Sequence, residues 1–194
     1  MPEPLSQESI LDTAEEVLRR FGPTKTTVVD VARALEVSHG SVYRHFPSKA
    51  ALRDAVTERW LERLSAPLVV VADGHEPPGL RLRRWLELLV ATKQEMARQD
   101  AELFATFRQL TVESREVVAA HVDDLADQLS RIIADGVAAG DFTADDPAKA
   151  GRAVLQATAL FHHPAHADEW GAPDLAEQFD AVFHLLVDGL RPRG

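Results

Sequence analysis

Residues 26–52 constrain the fold of this chain most, because their spacing allows only short helices separated by tight turns. Apolar residues recur at i, i+3, i+4 and i+7, the spacing of one helical face, at Val28, Val31, Ala32 and Leu35. Ser38 is a favourable N-cap residue, and Pro47 disfavours a helical conformation at the residue before it. The pattern predicts a short helix, a turn, and a second helix of about two turns between residues 38 and 46.

The second of these helices is too polar to belong to a core. Only Val42 and Phe46 need to face the protein, and the remaining positions carry the polar residues Ser38, His39, Ser41, Tyr43, Arg44 and His45. A compact helix-turn-helix places a second helix of this kind in the major groove of DNA. We therefore predict a helix-turn-helix that binds double-stranded DNA.

The order and spacing of this segment resemble the DNA-binding domain of the tetracycline-repressor (TetR/AcrR) family of bacterial transcription regulators. The resemblance covers roughly the first 60 residues. It rests on Phe21, Gly22, Thr26, Thr27, Val31, Ala32, Val37, Ser38, Val42, Tyr43, His45, Phe46, Pro47, Lys49 and Leu52. Glu36 stands in the turn where the family most often has glycine, and a positive φ there would carry roughly 1 kcal/mol of strain.

The resemblance implies a set of DNA-contacting residues. Tyr43 and His45 are expected to donate to phosphate oxygens, with packing inside the chain as the alternative. Lys49 is expected at phosphate, and Arg44 either bonds O6 and N7 of guanine or lies on phosphate. His39 and Ser41 are candidate base contacts. The complete predicted set is Thr26, Thr27, Ser38, His39, Gly40, Ser41, Tyr43, Arg44, His45 and Lys49.

Two residues of this set have structural tasks in the prediction. Either Thr26 or Thr27 caps the second helix and reaches the DNA backbone, and the resemblance favours Thr27. Gly40 allows the sugar-phosphate chain to approach closely.

The charge of the chain is divided unevenly. Residues 19–53 hold seven basic and two acidic residues, a local charge of +5, so the net charge of −10 leaves −15 on the rest. A basic head on an acidic body fits a site-specific DNA-binding protein better than a non-specific architectural one. The alternative is an ordinary solvated basic face.

Composition suggests a small cytoplasmic protein, and the family resemblance implies a bacterial protein that is associated with the nucleoid when it is bound to an operator. The chain has 194 residues and no cysteine, which excludes a disulfide framework and thiol chemistry. We find no apolar run near 18 residues and no signal-peptide pattern, so we expect no membrane association.

The rest of the chain is helical in pattern, and no β-strand pattern competes with it. We predict an all-α fold of about nine helices. A three-helix helix-turn-helix domain occupies residues 1–52, helix four links it from residue 48, and an antiparallel helical bundle occupies 53–194. The remaining predicted helices are 6–21, 80–98, 101–110, 113–139, 148–163 and 174–190. A Pro/Gly loop is predicted at 66–79, and its centre at 73–78 is the best candidate for a break between head and body.

The family resemblance implies that the body forms a homodimer and binds a small effector. The helices at 148–163 and 174–190 are expected to pair with their copies, with packing inside one subunit as the alternative. Their apolar faces carry Ala153, Ala157, Leu160 and Phe161, and Leu175, Phe179, Val182, Phe183 and Leu186. We predict a repressor that a ligand releases from a palindromic operator, and the alternative is a ligand-dependent activator.

The predicted effector is a small, largely apolar molecule. Candidate residues that contact it are Trp85, Phe104, Phe107, Phe161, His162 and Trp170, for which core packing is the alternative. No paired acid and base, nucleophile elbow, phosphate loop or H-E-x-x-H pattern is present. We predict no catalytic residue, no metal site and no cofactor.

A histidine cluster at residues 162–166 leaves three interpretations open. His162 and His166 are four residues apart, a spacing that presents two metal ligands on one helix, but Pro164 between them ends or bends a helix. The imidazoles are then hydrogen-bonded groups, parts of the effector pocket, or metal ligands. The less favoured alternative function is a helical-bundle metal-binding enzyme that uses His162, His163 and His166.

Overall fold

The computed structural model describes residues 5–99 and 101–192, and all regular structure in those residues is helical. The α-helices are α1 Gln7–Lys25, α2 Val28–Ala34, α3 His39–Tyr43, α4 Lys49–Ala72, α5 Pro78–Gln99, α6 Ala101–Glu113, α7 Arg115–Ala139, α8 Pro147–Ala157, α9 Ala159–His162 and α10 Leu175–Leu190. A 3-10 helix, Pro164–Glu169, lies between the last two. The predicted all-α fold is confirmed, and the helix count is close to the predicted one.

The described residues form two compact units. The first comprises residues 5–62 and 101–119, and the second comprises 63–99 and 120–192. These units do not coincide with the predicted contiguous domains, because α6 belongs with the N-terminal helices. Phe107 of α6 packs on Trp60 of α4 with ring centroids 5.9 Å apart, a contact between residues far apart in sequence.

Local signals set the beginning and end of α1 as the sequence indicates. The Ser6 hydroxyl accepts from the backbone N–H of Ser9 at 3.1 Å and caps the helix. Gly22 interrupts the helical backbone with φ of 74°, a conformation that glycine adopts without a steric penalty. The inward face of α1 is fully buried at Ile10 and Ala14.

The loop predicted at residues 66–79 is confined to residues 73–77, its predicted centre, because α4 continues through Pro67 to Ala72 and α5 begins at Pro78. A proline inside a helix removes one hydrogen bond and crowds the preceding turn. The following residues Leu68 and Ala72 are nevertheless buried in the core of the second unit, and this burial favours continuation of the helix. The guanidinium of Arg81 then donates to the Ala72 carbonyl oxygen at 2.7 Å, which satisfies a carbonyl at the end of α4.

The helix predicted at 148–163 is divided at Thr158. The Thr158 hydroxyl donates to the carbonyl oxygen of Val154 at 2.9 Å, and the backbone dihedral angles of Thr158 lie outside the helical region. Asp146 caps α8 by accepting from Ala148 N at 3.0 Å, as the Asp-Pro pair indicates. Pro164 ends α9 and begins the 3-10 helix.

The second unit is built around one apolar core. It includes Leu82, Trp85, Leu86, Leu89, Leu125, Leu129, Ile132, Ile133, Val154, Leu155, Phe161, Leu175, Phe179 and Phe183. Among the described residues, we find no helix with the length and apolarity that a membrane span requires.

Candidate nucleic-acid interface

Thr27 and Asp30 form a reciprocal cap at the start of α2. The Thr27 hydroxyl oxygen accepts from Asp30 N at 3.3 Å, and the Asp30 carboxylate accepts from Thr27 N at 3.0 Å. The hydrogen bonds from Thr27 lower the pKa of Asp30. Thr26 is buried instead, and its hydroxyl donates to the Gly22 carbonyl oxygen at 2.8 Å. Of the two predicted cap residues, only Thr27 caps the helix and leaves its side chain exposed.

The turn between α2 and α3 contains the expected positive φ. Glu36 has φ of 56°, the left-handed conformation that glycine adopts at this place in related turns. Val37 N donates to the Ala32 carbonyl oxygen at 3.0 Å, which closes the C-terminus of α2 as in a Schellman motif. The turn therefore has the geometry of a Schellman motif, although a glutamate rather than a glycine takes the positive φ.

α3 is capped at its N-terminus by Ser38, is followed by Pro47, and buries only its apolar side. The Ser38 hydroxyl accepts from Ser41 N at 3.2 Å and caps the helix. Val42 is fully buried and Phe46 is 6% exposed, as predicted. The opposite side carries the exposed residues His39, Gly40, Tyr43 and Arg44, and the half-buried residues Ser41 and His45.

Hydrogen bonds orient the polar side chains of α3. Arg44 Nη2 donates to Ser41 Oγ at 3.2 Å, and Ser41 Oγ lies 2.9 Å from Ser38 Oγ. The His39 and Tyr43 rings meet edge to face with centroids 6.4 Å apart. This arrangement presents a guanidinium, a phenol and an imidazole on one exposed surface, which we call the α3 polar face.

Gly40 has room for a side chain within its own unit. A Cβ at this position would have only Ser38 Oγ, at 3.8 Å, as a near neighbour. The packing of the described residues therefore does not explain the glycine, whereas close approach of a partner to the α3 polar face would.

Lys49 begins α4 beside the end of α1. Ser48 Oγ accepts from Ala51 N at 3.0 Å and caps α4. The Lys49 ammonium group donates to the Pro23 carbonyl oxygen at 3.3 Å, although the residue remains exposed. Its position at a helix N-terminus suits contact with a phosphate, because free N–H groups and the helix dipole favour an anion there.

The six predicted effector residues do not share one unit. Phe104 and Phe107 belong to the first unit, in which Phe107 packs on Trp60. Trp85, Phe161, His162 and Trp170 belong to the second. Trp85 is fully buried and donates to Gln128 Oε1 at 2.9 Å, and Trp170 donates to the Leu160 carbonyl oxygen at 2.9 Å.

The three clustered histidines have separate hydrogen-bonding roles. His162 is buried, and its Nε2 lies 3.3 Å from the Leu155 carbonyl oxygen. His163 accepts from Ala165 N at 3.2 Å, whereas His166 lies 2.9 Å from Glu169 Oε1. Among the described residues, no three His, Cys, Asp or Glu side chains are grouped so as to hold a metal ion.

Two buried cations on α5 are absent from the sequence predictions. Arg81 is only 4% exposed and Lys93 only 5% exposed, although cationic side chains usually reach water. The place of Lys93 four residues after Leu89 and eight after Trp85 is the signal that could have identified it.

Two protein-family models match the chain. The model for bacterial regulatory proteins of the tetR family matches residues 10–56, and the model for the tetracyclin repressor-like C-terminal domain matches residues 78–183. An uncharacterized HTH-type transcriptional regulator of Mycobacterium tuberculosis strain H37Rv is 32% identical over 104 residues, which are 53% of this chain and 49% of that protein. The chain thus spans about half the length of the curated relatives it matches.

Solved structures share the fold over nearly the whole chain. The structure of SmeT, the repressor of the Stenotrophomonas maltophilia multidrug efflux pump SmeDEF, has a TM-score of 0.69 at 20% identity and covers 98% of this chain and 92% of that one. A SmeT–triclosan complex has a TM-score of 0.68 at 18% identity, with coverage of 97% and 92%. At these identities the likeness shows the fold alone.

Proposed function

Because the chain belongs to the TetR family of bacterial transcription regulators, we propose that it is a homodimer that binds a palindromic operator and is released by a small effector. The matching family models describe regulatory proteins, and the Mycobacterium tuberculosis relative is an HTH-type transcriptional regulator; neither describes an enzyme. The observation that carries the proposal is the α3 polar face, in which one short helix buries Val42 and exposes hydrogen-bonding groups that fit a major groove.

Base reading is assigned to Arg44, His39 and Ser41. Arg44 is exposed, and its hydrogen bond to Ser41 holds the guanidinium in a preferred orientation, which lowers the entropy lost on binding a guanine. His39 lies in the first turn of α3, where N-terminal residues of recognition helices approach bases.

Phosphate contact is assigned to Tyr43, His45, Lys49 and Thr27. These side chains flank the reading residues, and the surrounding basic segment supplies the long-range attraction that acidic DNA requires. We leave Thr26 out of this set, because it is buried and both its hydroxyl and its backbone N–H donate to the Gly22 carbonyl oxygen.

A dimer is supported by apolar groups that α8 and α10 leave exposed. Phe161, Phe179 and Phe183 pack inside their own unit, but Leu185 is 74% exposed. The small residues Ala153 and Ala157 are also exposed on α8 and would allow close helix approach. A dimer would present two recognition helices to half-sites about 34–36 Å apart.

We assign the effector site to the second unit, around Trp85, Phe161, His162 and Trp170. An effector releases DNA only if its affinity differs between the DNA-binding and released states. Since α4 contributes to both compact units, we propose that it transmits the change to the head. Triclosan is a ligand of SmeT.

A selection of genomic fragments bound by the purified chain at about 150 mM salt tests the proposed function. Enrichment of a palindrome with half-sites about one helical turn apart is the expected result. If purified protein, with and without cell-extract metabolites, enriches no sequence over random fragments, the site-specific function is wrong.

A further inference from the structure

The connection between α1 and α2 is fixed by hydrogen bonds within it and to α4. The hydroxyl and the backbone N–H of Thr26 both donate to the Gly22 carbonyl oxygen, at 2.8 and 3.2 Å. Lys49 Nζ, at the start of α4, donates to the Pro23 carbonyl oxygen at 3.3 Å. We call residues 22–26 the α1–α2 turn, and it lies beside the α4 residue to which we assign a phosphate contact.

α6 holds the same turn through a side chain. Gln109 Nε2 donates to Thr24 Oγ1 at 2.9 Å and to Glu113 Oε1 at 3.2 Å. A side chain carried by a turn that is already ordered loses less entropy on binding than one carried by a mobile loop. The α1–α2 turn therefore offers a pre-organised position for a contact with a partner.

The backbone of the turn directs Lys25 to the same side as Thr27. Thr26 and Thr27 have extended backbones, in which successive side chains point to opposite sides. Thr26 is buried, whereas Lys25 and Thr27 are both exposed. Two residues of extended chain span at most about 7 Å, so Lys25 begins within that distance of the residue that caps α2.

The ammonium group of Lys25 is available for an anionic partner. Among the described residues, none forms a hydrogen bond or an ion pair with the Lys25 side chain. The two carboxylates bonded to this part of the unit are engaged elsewhere. Asp30 accepts from Thr27 N at 3.0 Å, and Glu113 Oε2 lies 3.2 Å from Arg53 Nη1. The positive charge of Lys25 is therefore free to attract an anion.

We propose that Lys25 binds a DNA phosphate next to the one that Thr27 contacts, so that the α1–α2 turn extends the interface beyond the α3 polar face. A lysine ammonium group on its flexible four-carbon stem meets phosphate as a point charge, and such a contact fixes the position of the protein without reading a base. The inference rests on the DNA-binding part of the proposed function and adds a contact to it.

The salt dependence of DNA binding by the full chain tests this contact. Fluorescence anisotropy is measured between about 50 and 200 mM salt, with the selected operator and with a random duplex of equal length. Lys25→Ala is expected to make the slope of log K against log salt shallower by about 0.9 for each copy of the chain bound. Lys25→Arg is expected to keep the slope. Lys149→Ala is the matched control, because it removes an exposed lysine of α8 in the second unit.

Ethylation interference on the operator distinguishes a direct contact from a long-range effect of charge. Ethylation of one phosphate, next to the phosphate that Thr27→Ala no longer needs, is expected to block binding by the wild type but not by Lys25→Ala. The inference is overturned if the salt slope of Lys25→Ala equals that of Lys149→Ala, or if the same ethylated phosphates block the wild type and Lys25→Ala. Lys25→Gln replaces Lys25→Ala in both measurements if circular dichroism shows that the alanine variant does not fold.

The outcome is separable from that of the fragment selection. A protein that enriches an operator, but whose salt slope does not depend on Lys25, overturns only the contact. If no operator is enriched and the slope on the random duplex still depends on Lys25, the site-specific function is wrong and the contact stands. A protein that binds neither DNA overturns both.

Discussion

Arg44 is the residue of the α3 polar face to which we assign the bidentate contact with guanine. Arg44→Ala is expected to weaken operator binding by about 1–3 kcal/mol and to relax the preference for one base, since a bidentate guanine contact would be lost. Fluorescence anisotropy with the operator and its single-base variants measures both effects.

Lys49→Ala is the companion variant for that measurement. Removing a phosphate contact is expected to weaken binding to all sequences similarly and to make the salt dependence shallower by about one counterion. Unchanged binding by both variants across a salt series would contradict the assignment of these residues.

Glu36 is the residue at which the local backbone is strained. Glu36→Gly is expected to raise the free energy of unfolding by up to about 1 kcal/mol. Glycine removes the cost of the left-handed conformation, roughly 1–2 kcal/mol, but it also increases the conformational entropy of the unfolded chain, which offsets part of this stabilisation. Urea denaturation measures the change. The control Glu16→Gly, at an exposed position inside α1, is expected to lower stability by about 1 kcal/mol. A loss of stability in Glu36→Gly would refute the argument.

At the scale of elements, α7 and α8 pack closely together at Gly151. A Cβ on Gly151 would lie 2.4 Å from Ser130 Oγ and 2.8 Å from the Ala126 carbonyl oxygen. Gly151→Ala is therefore expected to lower the free energy of unfolding by roughly 1–3 kcal/mol, because one helix must move. Thermal denaturation tests this, with Gly79→Ala as control, since no atom lies within 4 Å of its added Cβ. Equal free energies of unfolding for the two variants would show that the contact between α7 and α8 accommodates the added methyl group without loss of stability.

At the scale of the whole molecule, the proposed dimer depends on the exposed apolar side of α10. Leu185→Asp places a charge where a second copy would pack, and is expected to give monomers in light scattering at micromolar concentration. Operator affinity should fall at least about tenfold, because a monomer binds only one half-site and loses the gain from two linked DNA-binding units. Val70→Asp, an equally exposed position on α4, is expected to remain dimeric. If the Leu185→Asp protein is still a dimer, this surface of α10 is not the dimer interface.

His121 and His162 also predict how the stability of the whole fold depends on pH. His121 and His162 have pKa values of about 4 in the folded chain, against an ordinary value of 6.5. Between those values the unfolded chain binds more protons, so the free energy of unfolding is intact above pH 6.5 and decreases as the pH falls towards 4. The loss is at most about 3 kcal/mol for each histidine.

Denaturation curves at several pH values measure this dependence. His162→Gln should flatten the decrease between pH 6.5 and 5, whereas the exposed His75→Gln should leave it unchanged. A wild-type stability that is constant across that interval would contradict the assignment of neutral buried imidazoles.

Much of the fold follows from interactions between residues three or four apart. Ser38, Thr27 and Asp146 cap their helices as the sequence indicates, and Glu36 takes its positive φ in the predicted turn. Caps and turns bond to their own neighbours in sequence, so a linear pattern contains them completely. The α3 polar face could be predicted for the same reason, because exposing it requires only that Val42 and Phe46 be buried.

The tertiary structure decided the features that depend on distant partners. α4 runs through Pro67 because the core of the second unit buries the residues after it, and α6 joins the first unit because Phe107 meets Trp60. Lys93 could equally have extended its ammonium group into water from the end of an apolar face. Its burial depends on packing with helices that are far apart in sequence, as the hydrogen bond from the neighbouring Gln94 to the Phe161 carbonyl oxygen shows. The sequence alone determined most helices, their caps and the α3 polar face. Packing between distant segments decided where α4 ends, which helices form each unit, and that Arg81 and Lys93 lie in the interior.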